Sequence, residues 1–235
     1  MFRILLDNVD NYTYDLRVVS RPSVPVTNYE YDETDIKYRG KLYKASHIPD
    51  KVIKVDFNFV EHECFGNALR KMNAWFLNAK TLKFSDDVNV YFKIKKVEID
   101  DIERELKILG KFTVQFTVEP YAYSCEGDEE LTFFQDEWQN NGLIMYNFGT
   151  INSYPRFRLY GNGTLSINVN GKEMTVKNVV DYVDIDTELE YCFKGSTNMN
   201  KYMTGNFETF KTGENVMTFS SSVSQLDIIP SWRYL

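Results

Sequence analysis

The feature that most limits what this chain can fold into is the period-two alternation of its apolar residues. Ile53, Val55, Phe57 and Phe59 alternate with Lys54, Asp56 and Asn58, and Val88, Val90, Phe92 and Ile94 with Asn89, Tyr91 and Lys93. Phe112, Val114, Phe116 and Val118 alternate with Lys111, Thr113, Gln115 and Thr117. Successive side chains of a strand leave opposite faces, so each run predicts a strand with one face on a core and the other toward water or a neighbour. The 17 Phe and 16 Tyr point the same way, because aromatic rings pack well on a pleated surface.

One segment departs from this rule. Between about 63 and 79, Phe65, Leu69, Met72 and Phe76 recur at spacings of four, three and four, and Ala68 and Trp75 widen the stripe. That spacing predicts an amphipathic helix. No Ser, Thr or Asp cap stands directly ahead of it, so its start is not marked. A single helix among strands must lay its stripe on a sheet, which makes the first half α+β.

The second half reads as all β. Gly161-Asn162-Gly163 is a turn signal between Phe157–Tyr160 and Thr164–Val169. Asn170-Gly171 joins that run to Lys172–Lys177 and predicts a type I′ hairpin, which needs positive φ at both central positions. Further strands are expected near Tyr182–Ile185, Leu189–Phe193 and Val216–Phe219, and short strands spaced by turns suggest a sandwich. Acidic residues crowd positions 126–137, so the domain boundary is placed between about 124 and 141, giving domains 1–130 and 131–235. The region Asp10–Pro49, with Tyr29-Glu30-Tyr31 and then Ile36–Ala45, is too polar for a closed core. It is expected to project as a hairpin or belt reaching a neighbour.

Chemistry is harder to find. A net charge of -7 argues against tracking a phosphate backbone, and Lys93, Lys95 and Lys96 sit beside Glu98, Asp100 and Asp101 as on a solvated strand face. Cys64, Cys125 and Cys192 are far apart and odd in number, which fits neither a disulfide framework nor a zinc knuckle. His62-Glu63 opens like a zincin helix, but position 66 is Gly. Asp184-Ile185-Asp186-Thr187-Glu188 opens like a calcium loop, but Leu189 stands where Gly is needed, so a polar strand edge is expected. Gly161-Asn162-Gly163 precedes a strand, leaving no helix N-terminus for a phosphate. No nucleophile elbow or Walker loop occurs. The 34 acidic residues offer too many carboxylate pairs for any pair to mark a hydrolase. Tyr12, Tyr14, Tyr29, Tyr31 and Tyr38 are candidates for stacking on sugars, although at strand spacing such residues more often serve a core or subunit interface. Neither an apolar leader nor a membrane-length apolar run is present, so synthesis in the host cytoplasm is expected without membrane insertion. The reading is a protein that is not an enzyme and carries no cofactor and no metal.

Several blocks resemble the distal tail proteins of long-tailed bacteriophages. They are Asn73–Asp87 with the following strand Val90–Val97, Gly110–Tyr123 with its proline before an aromatic, Asn147–Gly163, Ile185–Thr187 and Gly205–Asn215. They run in collinear order over most of the chain. The resemblance implies a mainly β fold: an N-terminal sheet with one helix and a hairpin, then a galectin-like β-sandwich. A likeness of shape to galectins does not by itself license sugar binding. It also implies a homohexameric ring at the tail tip of a virion or prophage. The ring would join the tail tube protein to the tail-associated lysin or hub protein, and in some phages meet tape-measure and receptor-binding proteins, with no direct nucleic-acid contact. Tyr29, Tyr31, Tyr38 and Tyr43 are the candidate subunit-interface residues. A carbohydrate- or receptor-binding module is the alternative, and a cell-wall hydrolase a more distant one.

Overall fold

The computed structural model describes residues 2–60, 65–101, 103–106, 109–138 and 142–235. The chain divides by its internal contacts into two compact units, 1–122 (joined by Leu235) and 123–234.

In the first unit, β1 (Ile4–Leu6) turns through Asp7 and Asn8 onto the short strand Val9–Asp10. Both turn residues have positive φ, 49° and 66°, as a type I′ hairpin requires. There follow β2 (Leu16–Val18), β3 (Tyr31–Ile36), β4 (Gly40–Ala45) and β5 (Lys51–Val60). Next come α1 (Phe65–Asn78), β6 (Thr81–Phe84), β7 (Asp87–Ile99) and β8 (Leu109–Val118). The sheet runs Val9–Asp10, β1, β6, β7, β8, β5, β2, antiparallel throughout. β5 and β8 pair over their full length, setting Phe57 opposite Phe112 and Ile53 opposite Phe116. Those residues, with Val55, Val114 and Val118, are buried as their alternation requires.

The helix lies on this sheet through Met72, Trp75 and Phe76, at i, i+3 and i+4. The Phe76 ring centroid is 5.4 Å from Phe57, 6.0 Å from Phe112 and 6.2 Å from Phe116. Burying a ring this fully contributes about 2–3 kcal/mol. Tyr14 stacks on Trp75 at 4.8 Å, with its ring turned to the helix and not to a ligand. Tyr12 is likewise engaged, under the Arg17 guanidinium at 4.0 Å. The exit from the helix is held by the Asp7 carboxylate, which accepts from the Lys80 and Thr81 amides at 2.9–3.1 Å. The start of the helix near Glu63, together with His62 and Cys64, lies outside the described residues.

Two expectations are corrected here. Val88 is exposed, because the β6–β7 register shifts between Leu82 and Phe84 and throws out the first residues of β7. Within Asp10–Pro49, the first part does not project. Asn11, Leu16 and Val18 are buried, and β2 pairs with β5. Asn11 is a polar residue at home in the core, since it accepts from the Ile4 amide and donates to the Leu16 carbonyl.

The second unit holds β9 (Leu131–Phe134), β10 (Leu143–Asn147), β11 (Arg156–Gly161), β12 (Gly163–Val169), β13 (Lys172–Val179), β14 (Tyr182–Asp186), β15 (Tyr191–Lys194), β16 (Gly213–Phe219) and β17 (Val223–Ile229). Six strands in the order β9, β17, β11, β14, β15 and Thr197–Asn198 form one sheet. Five in the order β10, β16, β12, β13 and Met203–Thr204 form the other. One core fills the space between them, from Phe157, Leu159 and Ile228 on one side to Leu165, Ile167, Met174 and Met217 on the other. This is a sandwich of two antiparallel sheets.

Asn170 and Gly171 have φ of 54° and 88° and join β12 to β13 with Val169 opposite Lys172, a type I′ hairpin. Gly161-Asn162-Gly163 does something else: it carries the chain from β11 in one sheet to β12 in the other. A Cβ on Gly161 would stand 2.1 Å from the Ser222 carbonyl oxygen, so no larger residue passes there. Leu189 is not in a strand. It is exposed in the turn before β15, where Glu190 takes positive φ.

Candidate functional site

Two surfaces of the described residues are built in ways that core packing does not explain. The first is the β3–β4 hairpin. Every residue of both strands is exposed, so the ribbon has no core of its own. Its register places Tyr31 opposite Ala45, Glu33 opposite Tyr43 and Asp35 opposite Lys41. These six side chains share one face, while Thr34, Ile36 and Leu42 are on the other. Glu33 and Lys41 form a diagonal ion pair. Beyond the strands the ladder continues, with the Ser46 amide donating to the Glu30 carbonyl at 2.8 Å and the Glu30 amide to His47 at 2.9 Å.

Of the four tyrosines singled out from the sequence, Tyr31 and Tyr43 come together as diagonal neighbours on one face. Tyr29 precedes β3, and Tyr38 sits at the tip in left-handed conformation, 93% exposed. A two-stranded ribbon without a covering layer is marginal in water, and both of its edges offer unpaired amides and carbonyls.

The second surface is the outer face of the six-stranded sheet, and sequence reasoning missed it. Register brings Thr132, Asp227, Arg158, Asp184, Phe193 and Asn198 into one row across all six strands, each opposite the next. Arg158 grips Asp184 with a fork: Nε donates to Oδ1 at 2.7 Å and Nη2 to Oδ2 at 3.3 Å. Asp227 accepts from the Tyr160 hydroxyl at 2.8 Å, the Thr132 hydroxyl at 2.9 Å and Gln225 Nε2 at 2.9 Å.

The ion pair raises the Arg158 guanidinium, chiefly through its bond to Asp184. Burial alone would raise the Asp227 carboxyl. The hydrogen bonds from Gln225, Tyr160 and Thr132, with the Arg158 charge, outweigh burial and hold it below the ordinary aspartate value. Asp184 therefore does not lie at a strand edge, as its neighbourhood suggested. It is on the fourth of six strands and almost wholly buried, where only a partner such as Arg158 makes its charge tolerable. The signal was present as opposite charges at outward positions of three strands: Arg156 and Arg158, Asp184 and Asp186, and Asp227.

Among the described residues, no group of three or more His, Cys, Asp or Glu is placed to hold a metal. His47 sits exposed beside Glu30 at the open end of the hairpin, 3.3 Å away. Burial, with the nearby Asp184 charge, pushes the Cys192 thiol up to about 12, which leaves it an inert core residue. Lys95 and Lys96 pair with Asp50 and Glu98, each at 2.7 Å, in keeping with a solvated strand face.

No protein-family model matches the chain, and no curated protein matches it. Solved structures do. The Dit protein (gp 19.1) of phage SPP1, described as a paradigm of the hub adsorption apparatus in phages infecting Gram-positive bacteria, matches with a TM-score of 0.69 over 100% of both chains at 14% identity. A chain of the phage P2 baseplate in its activated conformation with Ca matches with a TM-score of 0.56, over 97% of this chain and 96% of that one, at 14% identity. The same baseplate with Sr gives a TM-score of 0.54 over the same shares. From end to end, the chain has the mainly β fold of phage distal tail and baseplate proteins.

Proposed function

We propose that this protein is a structural component of a phage tail tip, a ring-forming adaptor between the tail tube and the tail-tip hub. The observation that carries the reading is the match to the SPP1 Dit protein over the whole of both chains. A ring of identical subunits needs two different surfaces on each copy, one fitting the other. The β3–β4 hairpin is suited to be one of them. It exposes Tyr29, Tyr31, Tyr38 and Tyr43, a residue type enriched at interface cores, and among the described residues no second layer covers it, so a neighbouring chain can supply one.

Six copies is the number that the family resemblance implies. The tube protein on one side and the tail-associated lysin or hub protein on the other are the partners it implies, with tape-measure and receptor-binding proteins further candidates. The place of action is then the virion tail tip, and the role is not enzymatic. Negative-stain microscopy of the purified protein tests this. Closed rings of six are expected, whereas uniform monomers at high concentration, both alone and mixed with the tube protein, speak against it.

A further inference from the structure

We propose that the outer face of the six-stranded sheet is a binding site for an uncharged saccharide. Glu130, Arg156, Arg158, Asp184, Phe193 and Asp227 line a depression there of about 130 Å³. That is smaller than the roughly 300–1,000 Å³ of sites that swallow a whole small molecule, so it suits one ring of a longer chain.

The class of ligand follows from the donors and acceptors. A carboxylate offers about four lone-pair sites and a guanidinium five N–H donors. Asp184 uses two sites on Arg158, and Asp227 uses three on Thr132, Tyr160 and Gln225. Those two carboxylates are almost wholly buried beneath the surface they order, while the exposed Glu130 keeps acceptor capacity and Arg158, with 40% of its side chain exposed, keeps donors. Because Asp184 holds Arg158, those donors are presented in fixed positions, and little ordering of them is left for a ligand to impose. The three lining carboxylates oppose an anion such as phosphate, and the two guanidinium groups oppose a cation. A hydroxyl group satisfies both, since it donates to the exposed Glu130 while accepting from Arg158, and it need not break the Arg158–Asp184 ion pair.

Beside this polar floor, Tyr191 and Phe193 point outward from β15 with their rings stacked, 5.1 Å apart and 19° from parallel. They supply the flat apolar surface on which the C–H face of a sugar ring packs. Tyr182 does not serve, because Arg158 and Lys194 already lie over its ring at 5.1 and 5.2 Å. The site stands on the second unit alone and holds whether or not rings form.

Ligand-observed saturation-transfer NMR on the full chain tests it, with glucose, galactose, N-acetylglucosamine and rhamnose as separate probes and inorganic phosphate as the anionic control. Transfer to at least one of the four sugars is expected, with affinity falling about tenfold in Arg158→Lys, which keeps the charge and loses the fork. The half-buried, outward Tyr191 gives a second variant, Tyr191→Ala, expected to weaken binding with the fold intact by circular dichroism. Failure of all four sugars to show transfer overturns the proposal. So does transfer that survives both substitutions, or phosphate binding in preference to the sugars.

Discussion

Tyr31 and Tyr43 stand diagonally on one face of the β3–β4 hairpin, Tyr31 opposite Ala45 and Tyr43 opposite Glu33, and each leaves 56% of its surface to solvent. Side chains that touch no core add little to the stability of the monomer. Tyr31→Ser and Tyr43→Ser are therefore expected to shift stability to urea by less than about 0.5 kcal/mol, while each weakens self-association by about 1–2 kcal/mol. Equilibrium unfolding and sedimentation, run on the same samples, separate the two effects. A large loss of stability would place these rings in a core they are not seen to have.

Phe76 is the reverse case. It is fully buried against Phe57, Phe112 and Phe116, so Phe76→Ala leaves a cavity that the paired strands β5 and β8 cannot close. A loss of about 3–5 kcal/mol is expected by urea titration. A cost below about 1 kcal/mol would mean that the helix does not seat on the sheet as described.

The Asp227 carboxyl lies below its unfolded value, so its contribution to stability carries a definite sign. The contribution is complete above the ordinary aspartate pKa of about 3.9 and is lost as the pH falls through the lower folded value. Asp227→Asn is expected to be less stable than the parent at neutral pH, and the gap is expected to narrow in acid. The check is urea unfolding at a series of pH values, and a gap that widens toward low pH contradicts the network drawn around Asp227.

Gly161 has no room for a side chain, with the Ser222 carbonyl 2.1 Å from where a Cβ would stand. Gly161→Ala must push apart the backbone at the point where the chain changes sheets. Thermal unfolding is expected to show a loss of at least about 2 kcal/mol. Gly163→Ala makes the comparison: its φ is also positive, but nothing approaches the added carbon, so its cost is expected to be smaller.

Which parts of this fold can be read from the sequence depends on how local the cause is. The runs Ile53–Phe57 and Phe112–Val118 are legible because burial follows parity without interruption, and Met72 and Phe76 because one helical face suffices. Asn170-Gly171 is legible because positive φ is a property of those two residues. Val88 misleads, since the register with β6 slips across extra residues of its own strand, β7, and that slip decides which way it points. Leu16 and Val18 hide in a polar neighbourhood because their burial comes from β5, some forty residues further on. The row through Asp227, Arg158 and Asp184 is least legible of all. Its members meet only once sheet order and register are set, 26 residues apart for the ion pair and 67 for Tyr160 and Asp227. The exposed hairpin lies between these cases: its polarity announced that it would not enter the core, while Asp10 to Val18 shared that polarity and entered the sheet all the same.

A ring of this kind requires the chain to assemble with itself through the β3–β4 hairpin. Native mass spectrometry over a range of concentrations, on the parent and on the Tyr31→Ser/Tyr43→Ser double variant, tests it most directly. A six-chain species in the parent that falls away to monomer in a folded double variant is the expected result. Monomer alone in the parent at every concentration, or a six-chain species untouched by the double substitution, would contradict it.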